Sequence, residues 1–192
     1  MAAVEDCSAL LLAAGLSRRF GSDDKLASDY RGRPLVQHAA DTLAGLGFAR
    51  RLAVVNSSGP VADMLAAAGF DIVLNQAPED GLSSSIRLGI MELARDGRPV
   101  LIALGDMPLV PGRHFAALCA ALSDTGAIAA SYGLGKPTVP AAFSTSTFPD
   151  LLDQSGDAGA QRLLASAVKV PVSSDSLLDI DRRDDLAAVG QA

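Results

Sequence analysis

One stretch of this chain carries the residue types needed to hold a polyphosphate. A small-residue turn, Leu12-Ala13-Ala14-Gly15, is followed by Ser17, Arg18, Arg19, Gly21 and Lys25. Glycine lets the backbone turn sharply and come close to a ligand. Exposed N–H groups in such a turn form an anion-binding concavity. Two guanidiniums and an ammonium add charge-assisted donors to it. The stretch is neither a GxxxxGK[ST] loop nor a GxGxxG loop, because arginines stand between Gly15 and Gly21.

A second candidate is Leu104-Gly105-Asp106-Met107-Pro108, where a carboxylate directly follows an apolar run. Mg²⁺ binds through one or two carboxylates together with phosphate oxygens and water. Asp106 suits that task beside a phosphate loop, or else it caps a strand-to-helix turn. In Asp179-Ile180-Asp181 the two carboxylates share one side of an extended segment. One of them could reach the same metal, or cap the helix that follows. Gly81-Leu82-Ser83-Ser84-Ser85 opens a helix, where its hydroxyls and free N–H groups can cap or can bind a base or phosphate. Asp157, in Gly156-Asp157-Ala158-Gly159, reads as a cap or a substrate contact. No Ser–His–Asp or Cys–His arrangement accompanies these groups. The chemistry on offer is charge neutralisation and positioning rather than nucleophilic catalysis.

These residues need elements to hold them. Ala9–Leu12, Leu52–Val55, Ile72–Leu74 and Val100–Leu104 are short apolar runs that read as strands, the last as one buried on both faces. Helices are expected over Pro34–Gly45, Pro60–Ala68, Ser83–Arg95 and Pro111–Leu122. The first places Leu35, Ala39 and Leu43 at helical spacing after an initial proline. The alternation argues for an α/β fold with an open, mostly parallel sheet wrapped on both sides. In such sheets ligands bind outside the carboxyl ends of the strands. The Gly15 and Asp106 loops both follow strands. Beyond residue 125, Ile128–Tyr132 and Thr138–Phe143 read as strands joined by a Gly133–Pro137 turn. Val168–Val172 reads as another strand, Leu151–Leu164 as a segment broken by its glycines, and Asp184–Val189 as a final helix.

Composition sets the frame. At 192 residues, 49% of them hydrophobic and 20% charged, the chain suits a single domain over residues 1–192. A net charge of −6 excludes nucleic acid as an expected partner. No apolar run reaches the roughly 20 residues of a membrane helix, so no membrane partner is expected. The acidic start, Met1 to Asp6, lacks the basic region of a signal peptide, and the expected location is the cytoplasm. Cys7 and Cys119 lack metal or redox spacing and read as small core residues. His38 and His114 read as structural or solvated residues within helices.

Taken in order, these pieces resemble the nucleotidyltransferase family with a Rossmann-like sheet, in the branch containing molybdenum cofactor cytidylyltransferases and related guanylyltransferases. The pattern LAAG-x-S-x-R-[MF]-G followed by K falls on Leu12–Gly15, Ser17, Arg19, Phe20, Gly21 and Lys25. GD-x-P falls on Gly105, Asp106 and Pro108, and G-x-S-S-S on Gly81 and Ser83–Ser85. V-P-A-x-F falls on Val139–Ala141 and Phe143, GD-x-GA on Gly156, Asp157, Gly159 and Ala160, and D-[IV]-D…DL on Asp179, Asp181, Asp185 and Leu186.

The resemblance implies a doubly wound three-layer domain and transfer of a nucleoside monophosphate to a phosphorylated acceptor such as molybdopterin. It implies that Arg19, Lys25 and Asp106 are catalytic. Nucleotide contacts would come from Leu12, Ala13, Ala14, Gly15, Ser17, Arg18, Gly21, Ser83 and Ser84. Asp106 with Asp181 would hold Mg²⁺, and Pro140 and Asp157 would lie on the acceptor side. LAAG in place of LAGG resembles the CTP-using members, and a molybdoenzyme maturation system is the implied protein partner. The chain departs from the family pattern at Phe20, where Met is commoner, and at Arg182-Arg183-Asp184. It also lacks a glycine-histidine pair in the Leu134–Thr138 loop.

Overall fold

The sheet is built around a strand with no polar face. β1 (Ser8–Ala13) is buried along its whole length, which its run of Ala and Leu requires. The chain continues through a two-residue hairpin, β2 (Asp29–Tyr30) and β3 (Arg33–Pro34), into α1 (Leu35–Ala44), β4 (Arg50–Val55), α2 (Pro60–Ala67) and β5 (Asp71–Leu74). There follow α3 (Leu82–Leu93), β6 (Val100–Leu104), α4 (Gly112–Ala120), β7 (Ile128–Tyr132), β8 (Pro137–Phe143), α5 (Phe148–Leu152) and β9 (Val168–Pro171). The computed structural model describes residues 2–17, 20, 24–122, 126–154, 159–181 and 185. The expected helix over 184–189 therefore lies outside the described residues, apart from Asp185.

Among the described residues the main sheet has seven strands in the order β5-β4-β1-β6-β8-β7-β9. β5, β4, β1 and β6 are parallel, β8 runs antiparallel to both β6 and β7, and β9 is parallel to β7. Alternate residues of β1 feed two cores. Ala9, Leu11 and Ala13 pack with Leu35, Val36 and Leu43 of α1, Leu65 of α2 and Phe115 and Leu118 of α4. Leu10 and Leu12 pack with Ile86, Ile90 and Leu93 of α3 and Phe148 and Leu151 of α5. This is the three-layer α/β arrangement the alternation requires, and each large apolar side chain buried there contributes about 1.5–3 kcal/mol.

Several boundaries differ from the periodicity. α1 starts at Leu35 because Pro34 completes the hairpin pairing with Asp29. α3 starts at Leu82 with Gly81 as its N-cap, and no serine side chain caps it. It ends at Leu93 in a 3₁₀ turn, Ala94–Asp96, closed by left-handed Gly97. The hairpin was invisible to pattern reading, since two-residue strands have no period. It turns at Arg31 and Gly32, both with positive φ. The expectation for the cysteines holds: Cys7 and Cys119 are free and buried.

At the end of the sheet away from the Asp106 loop, Arg50 joins Asp71 at 2.8 Å, Glu92 at 3.0 Å and Asp96 at 3.3 Å. One guanidinium thereby ties β4 to β5, α3 and the turn after α3. Gly89 of α3 lies directly on Leu10, and a methyl group there would overlap the Leu10 side chain. Gly89→Ala is therefore expected to destabilise the fold by up to about 2 kcal/mol. Overpacking costs about 1–3 kcal/mol and helix propensity returns about 1; the shift of the urea midpoint checks it.

His38 gives a pH dependence. Its Nε2 lies 2.8 Å from the Tyr30 carbonyl, so Nε2 carries the proton, and Nδ1 accepts from Arg33 Nη2 at 3.1 Å. Burial first, and then the Arg33 charge, hold its pKa below the ordinary value of 6.5. Neutral His38 thus adds stability that is complete above about pH 6.5 and is lost as the pH falls toward its lower folded-state value. Unfolding free energies between pH 7 and pH 5 should fall in wild type by more than in His38→Asn.

Candidate active site

The phosphate loop leaves the sheet at the carboxyl end of β1. Ala13 and Ala14 are still buried there. A Cβ added to Gly15 would meet nothing within 4 Å, so its missing side chain keeps space open beside the backbone. Asn56, beyond β4, donates from Nδ2 to the Gly15 carbonyl at 3.3 Å and holds the turn. Ser17 has a positive φ of 49°. The loop is tied back by Phe20, which is buried and whose N–H donates to the Ser17 carbonyl at 2.8 Å. Arg18, Arg19 and Gly21 lie outside the described residues.

The loop ends in a 3₁₀ turn, Lys25–Ala27, capped by the Asp24 side chain, which accepts from the Leu26 N–H at 2.9 Å. This turn, anchored by buried Leu26, drives Lys25 inward. Its Nζ donates to Asp106 Oδ2 at 2.7 Å and to Asp181 Oδ1 at 3.3 Å. Burial opposes the lysine charge, but Asp106 and then Asp181 outweigh it and raise its pKa above the ordinary value. The ammonium is thus fixed in its charged form. Asp106 stands just beyond β6. Gly105 beside it packs against Val36 and the Leu12 carbonyl, so it serves close strand contact rather than open space. Asp181 is brought in by a strap after β9. The Ile180 N–H donates to the Asp106 carbonyl at 3.0 Å, and the Ile180 side chain is fully buried. Partial burial, then Asp181 and Asp106, push the Asp179 carboxyl up.

The second oxygen of Asp106, Oδ1, is buried without a hydrogen-bond partner. That orphaned acceptor, beside a carboxylate pair already gathered around one cation, fits a hard divalent metal. Among the described residues no three His, Cys, Asp or Glu groups converge as a metal site. A cation held here would take further oxygens from water and phosphate, as Mg²⁺ does.

A cleft of about 350 Å³ runs from Asp106 and Leu104 past Leu12, Ala14, Gly15, Leu16 and Ser17 to Pro78, Glu79, Gly81, Leu82 and Ser85. The structure therefore brings together Leu12, Ala14, Gly15, Ser17 and Asp106, with Lys25 and Asp181 behind Asp106. It does not place Ser83 or Ser84 on the cleft. Ser84 turns inward, with Oγ 2.8 Å from the Gly81 carbonyl and 3.2 Å from that of Ala77, and Ser85 takes its place at the wall. Pattern reading passed over Asn75, Asn56 and the Pro78–Glu79 wall. These act from loops, and their only signal was position after the strands β4 and β5. Pro140 is buried within β8, with its carbonyl accepting from Ser131 Oγ at 2.6 Å. His114 completes that contact from α4, with Nε2 at 2.8 Å from Ser131 Oγ. Asp157 lies outside the described residues. No described helix is long and apolar enough to cross a membrane.

Comparison with known proteins agrees with this layout. The chain is 37% identical over 119 residues to the bifunctional protein GlmU of Thiobacillus denitrificans, covering 61% of this chain and 25% of that protein. It is 35% identical over 107 residues to a probable molybdenum cofactor guanylyltransferase of Pyrococcus horikoshii, covering 54% of this chain and 50% of that one. The match thus spans half or less of these relatives' lengths. The crystal structure of Rv0371c from Mycobacterium tuberculosis superposes with a TM-score of 0.80 at 22% identity, covering 98% of this chain and 100% of that one. The same mycobacterial protein has also been solved in complex with manganese. Residues 9–171 match the model of the MobA-like NTP transferase domain, and the chain belongs to that nucleotidyltransferase family.

Proposed function

We propose that this chain transfers CMP from CTP to a phosphorylated acceptor of the molybdopterin type and releases pyrophosphate. The observation that carries the reading is the Lys25 ammonium gathered between Asp106 and Asp181, directly behind the Asp106 wall of a cleft bordered by the Gly15 turn. Leu12, Ala13, Ala14, Gly15 and Ser17 supply backbone to the nucleotide, joined by Arg18 and Gly21 from the same motif. An acceptor phosphate is already ionised, so its oxygen attacks the α-phosphorus without a strong base. The bond to the β-phosphate oxygen breaks, and pyrophosphate carries away the electron pair. Lys25 and Arg19 offset the charge that builds on the α-phosphoryl oxygens, and the rigid cleft supplies the alignment. Asp106 and Asp181 would hold Mg²⁺, which when bound neutralises phosphate charge as a Lewis acid. Pro140 and Asp157 are the residues assigned to the acceptor side. The preference for CTP rests on the resemblance of Leu12-Ala13-Ala14-Gly15, LAAG in place of LAGG, to the CTP-using members of the family. The match to a probable molybdenum cofactor guanylyltransferase favours a second reading, in which GTP is the nucleotide; a sugar or polyol phosphate is the alternative acceptor. A molybdoenzyme maturation system and a cytoplasmic setting accompany the first reading.

Pyrophosphate release measured with CTP, GTP, ATP and UTP in Mg²⁺, with and without a molybdopterin-type acceptor, separates these readings. Acceptor-dependent release is expected with CTP; release with GTP alone overturns the choice of nucleotide. Lys25→Ala should lower kcat/KM by roughly 10²–10³, the range for losing one preorganised donor at a charged transition state. An unimpaired Lys25→Ala enzyme would sink the assignment. Asp106→Asn should weaken Mn²⁺ binding in the presence of CTP, read from the signal of free Mn²⁺ by electron paramagnetic resonance.

A further inference from the structure

Hydrogen-bond accounting around Asn75 fixes the polarity of one cleft-lining group. Asn75 is 1% exposed and follows β5, with its backbone N–H bonded to the Val55 carbonyl at 2.8 Å. The Ala77 backbone N–H reaches its side-chain oxygen at 3.0 Å. A backbone N–H can only donate, so the amide oxygen must face Ala77 and the NH₂ group must face the other way. There Nδ2 donates to Ser84 Oγ at 2.8 Å and to Ser85 Oγ at 2.9 Å. Ser84 passes its own proton to the Gly81 or Ala77 carbonyl and is complete. Ser85 accepts from Asn75 and has no acceptor for its own proton within the described protein. It is 4% exposed and lies on the cleft wall among Leu82, Pro78, Gly81 and Leu12.

We propose that Ser85 is a hydrogen-bond donor reserved for an acceptor atom on the nucleotide base, and that Asn75 is the positioning residue that fixes this polarity. The inference rests on the nucleotide-transfer reading above. Asp106 marks the phosphate end of the cleft, and Ser85 lines it from the start of α3 beside Pro78, Glu79, Gly81 and Leu82, where the base would lie. Because Asn75 occupies an Oγ lone pair with a donor, Ser85 turns its O–H outward. A base edge presenting a ring nitrogen or carbonyl, as cytosine does with N3 and O2, satisfies it. A base edge presenting only N–H at that point leaves two donors facing each other.

The test compares two probes by calorimetry in Mg²⁺ without acceptor: CTP, and inorganic tripolyphosphate, which has no base. The ratio of their Kd values isolates the base. Ser85→Ala should shrink that ratio about 3–10-fold, the worth of one neutral hydrogen bond, with tripolyphosphate affinity unchanged. Asn75→Asp keeps the acceptor for Ala77 but draws the Ser85 proton inward, and should shrink the ratio by a similar factor. Its added charge weakens both probes together and cancels. In the double variant the ratio should fall no further than in either single variant, because Asn75 acts through Ser85. A purely structural role for Asn75 would move both probes alike and leave the ratio intact. An unchanged ratio in Ser85→Ala overturns this proposal alone. A wild-type protein that binds neither probe overturns it together with the nucleotide-transfer reading.

Discussion

Two carboxylates brought together beside one cleft repel each other, and this protein resolves the repulsion with a single ammonium. Lys25 lies 2.7 Å from Asp106 and 3.3 Å from Asp181, and each of the three groups comes from a different part of the chain. Lys25 is delivered by a capped turn at the end of the phosphate loop, Asp106 by the strand beside β1, and Asp181 by the strap that follows the last strand. In a medium of reduced dielectric, ionised groups persist only when paired. The position of each element is therefore coupled to the other two through charge. Much of the local architecture can be read as the means of bringing three termini to one point: the Asp24 cap, the buried Leu26, the tight Gly105 and the Ile180 anchor.

The two ends of the sheet divide the work. At one end Arg50 is saturated by Asp71, Glu92 and Asp96 and holds strands and helix together. At the other end the polar groups include donors and acceptors that the protein leaves unmatched, such as Asp106 Oδ1. An unmatched buried acceptor costs free energy. The Ser8 and Tyr30 hydroxyls and Gln154 Oε1 are unmatched as well, but Asp106 Oδ1 belongs to a cleft-lining carboxylate, where a bound cation would satisfy it.

The sequence is informative about this molecule where a residue's neighbours in the chain are also its neighbours in space. The parallel strands, their crossover helices and the two polar loops after β1 and β6 follow from apolar runs and breakers, and they appear close to where the periodicity puts them. Asp106 could be singled out because it closely follows such a run, and Lys25 because it closes the cluster of polar and basic residues after Gly15. The inward turn of Ser84 could not, because it depends on Asn75, whose side chain meets the serines only after β5 and α3 have packed. The Gly105 packing against Val36 and Leu12, and the burial of Pro140 behind Ser131 and His114, likewise depend on contacts between distant segments. The hairpin at Asp29–Pro34 is too short for any period to register.

The strap that carries Asp181 has a consequence for when the protein becomes competent. Its anchor is the hydrogen bond from the Ile180 N–H to the carbonyl of Asp106 itself. The second carboxylate thus arrives only once β9 has joined the sheet edge and the strap has crossed back over β8 to β6. A chain without the strap would keep the phosphate loop and Asp106 in its sequence but not the second carboxylate. Its Lys25 would then face a single carboxylate, and the charge balance of the finished site would be absent. The strap, far along the sequence from the phosphate loop, thus sets the electrostatics of the lysine that ends that loop.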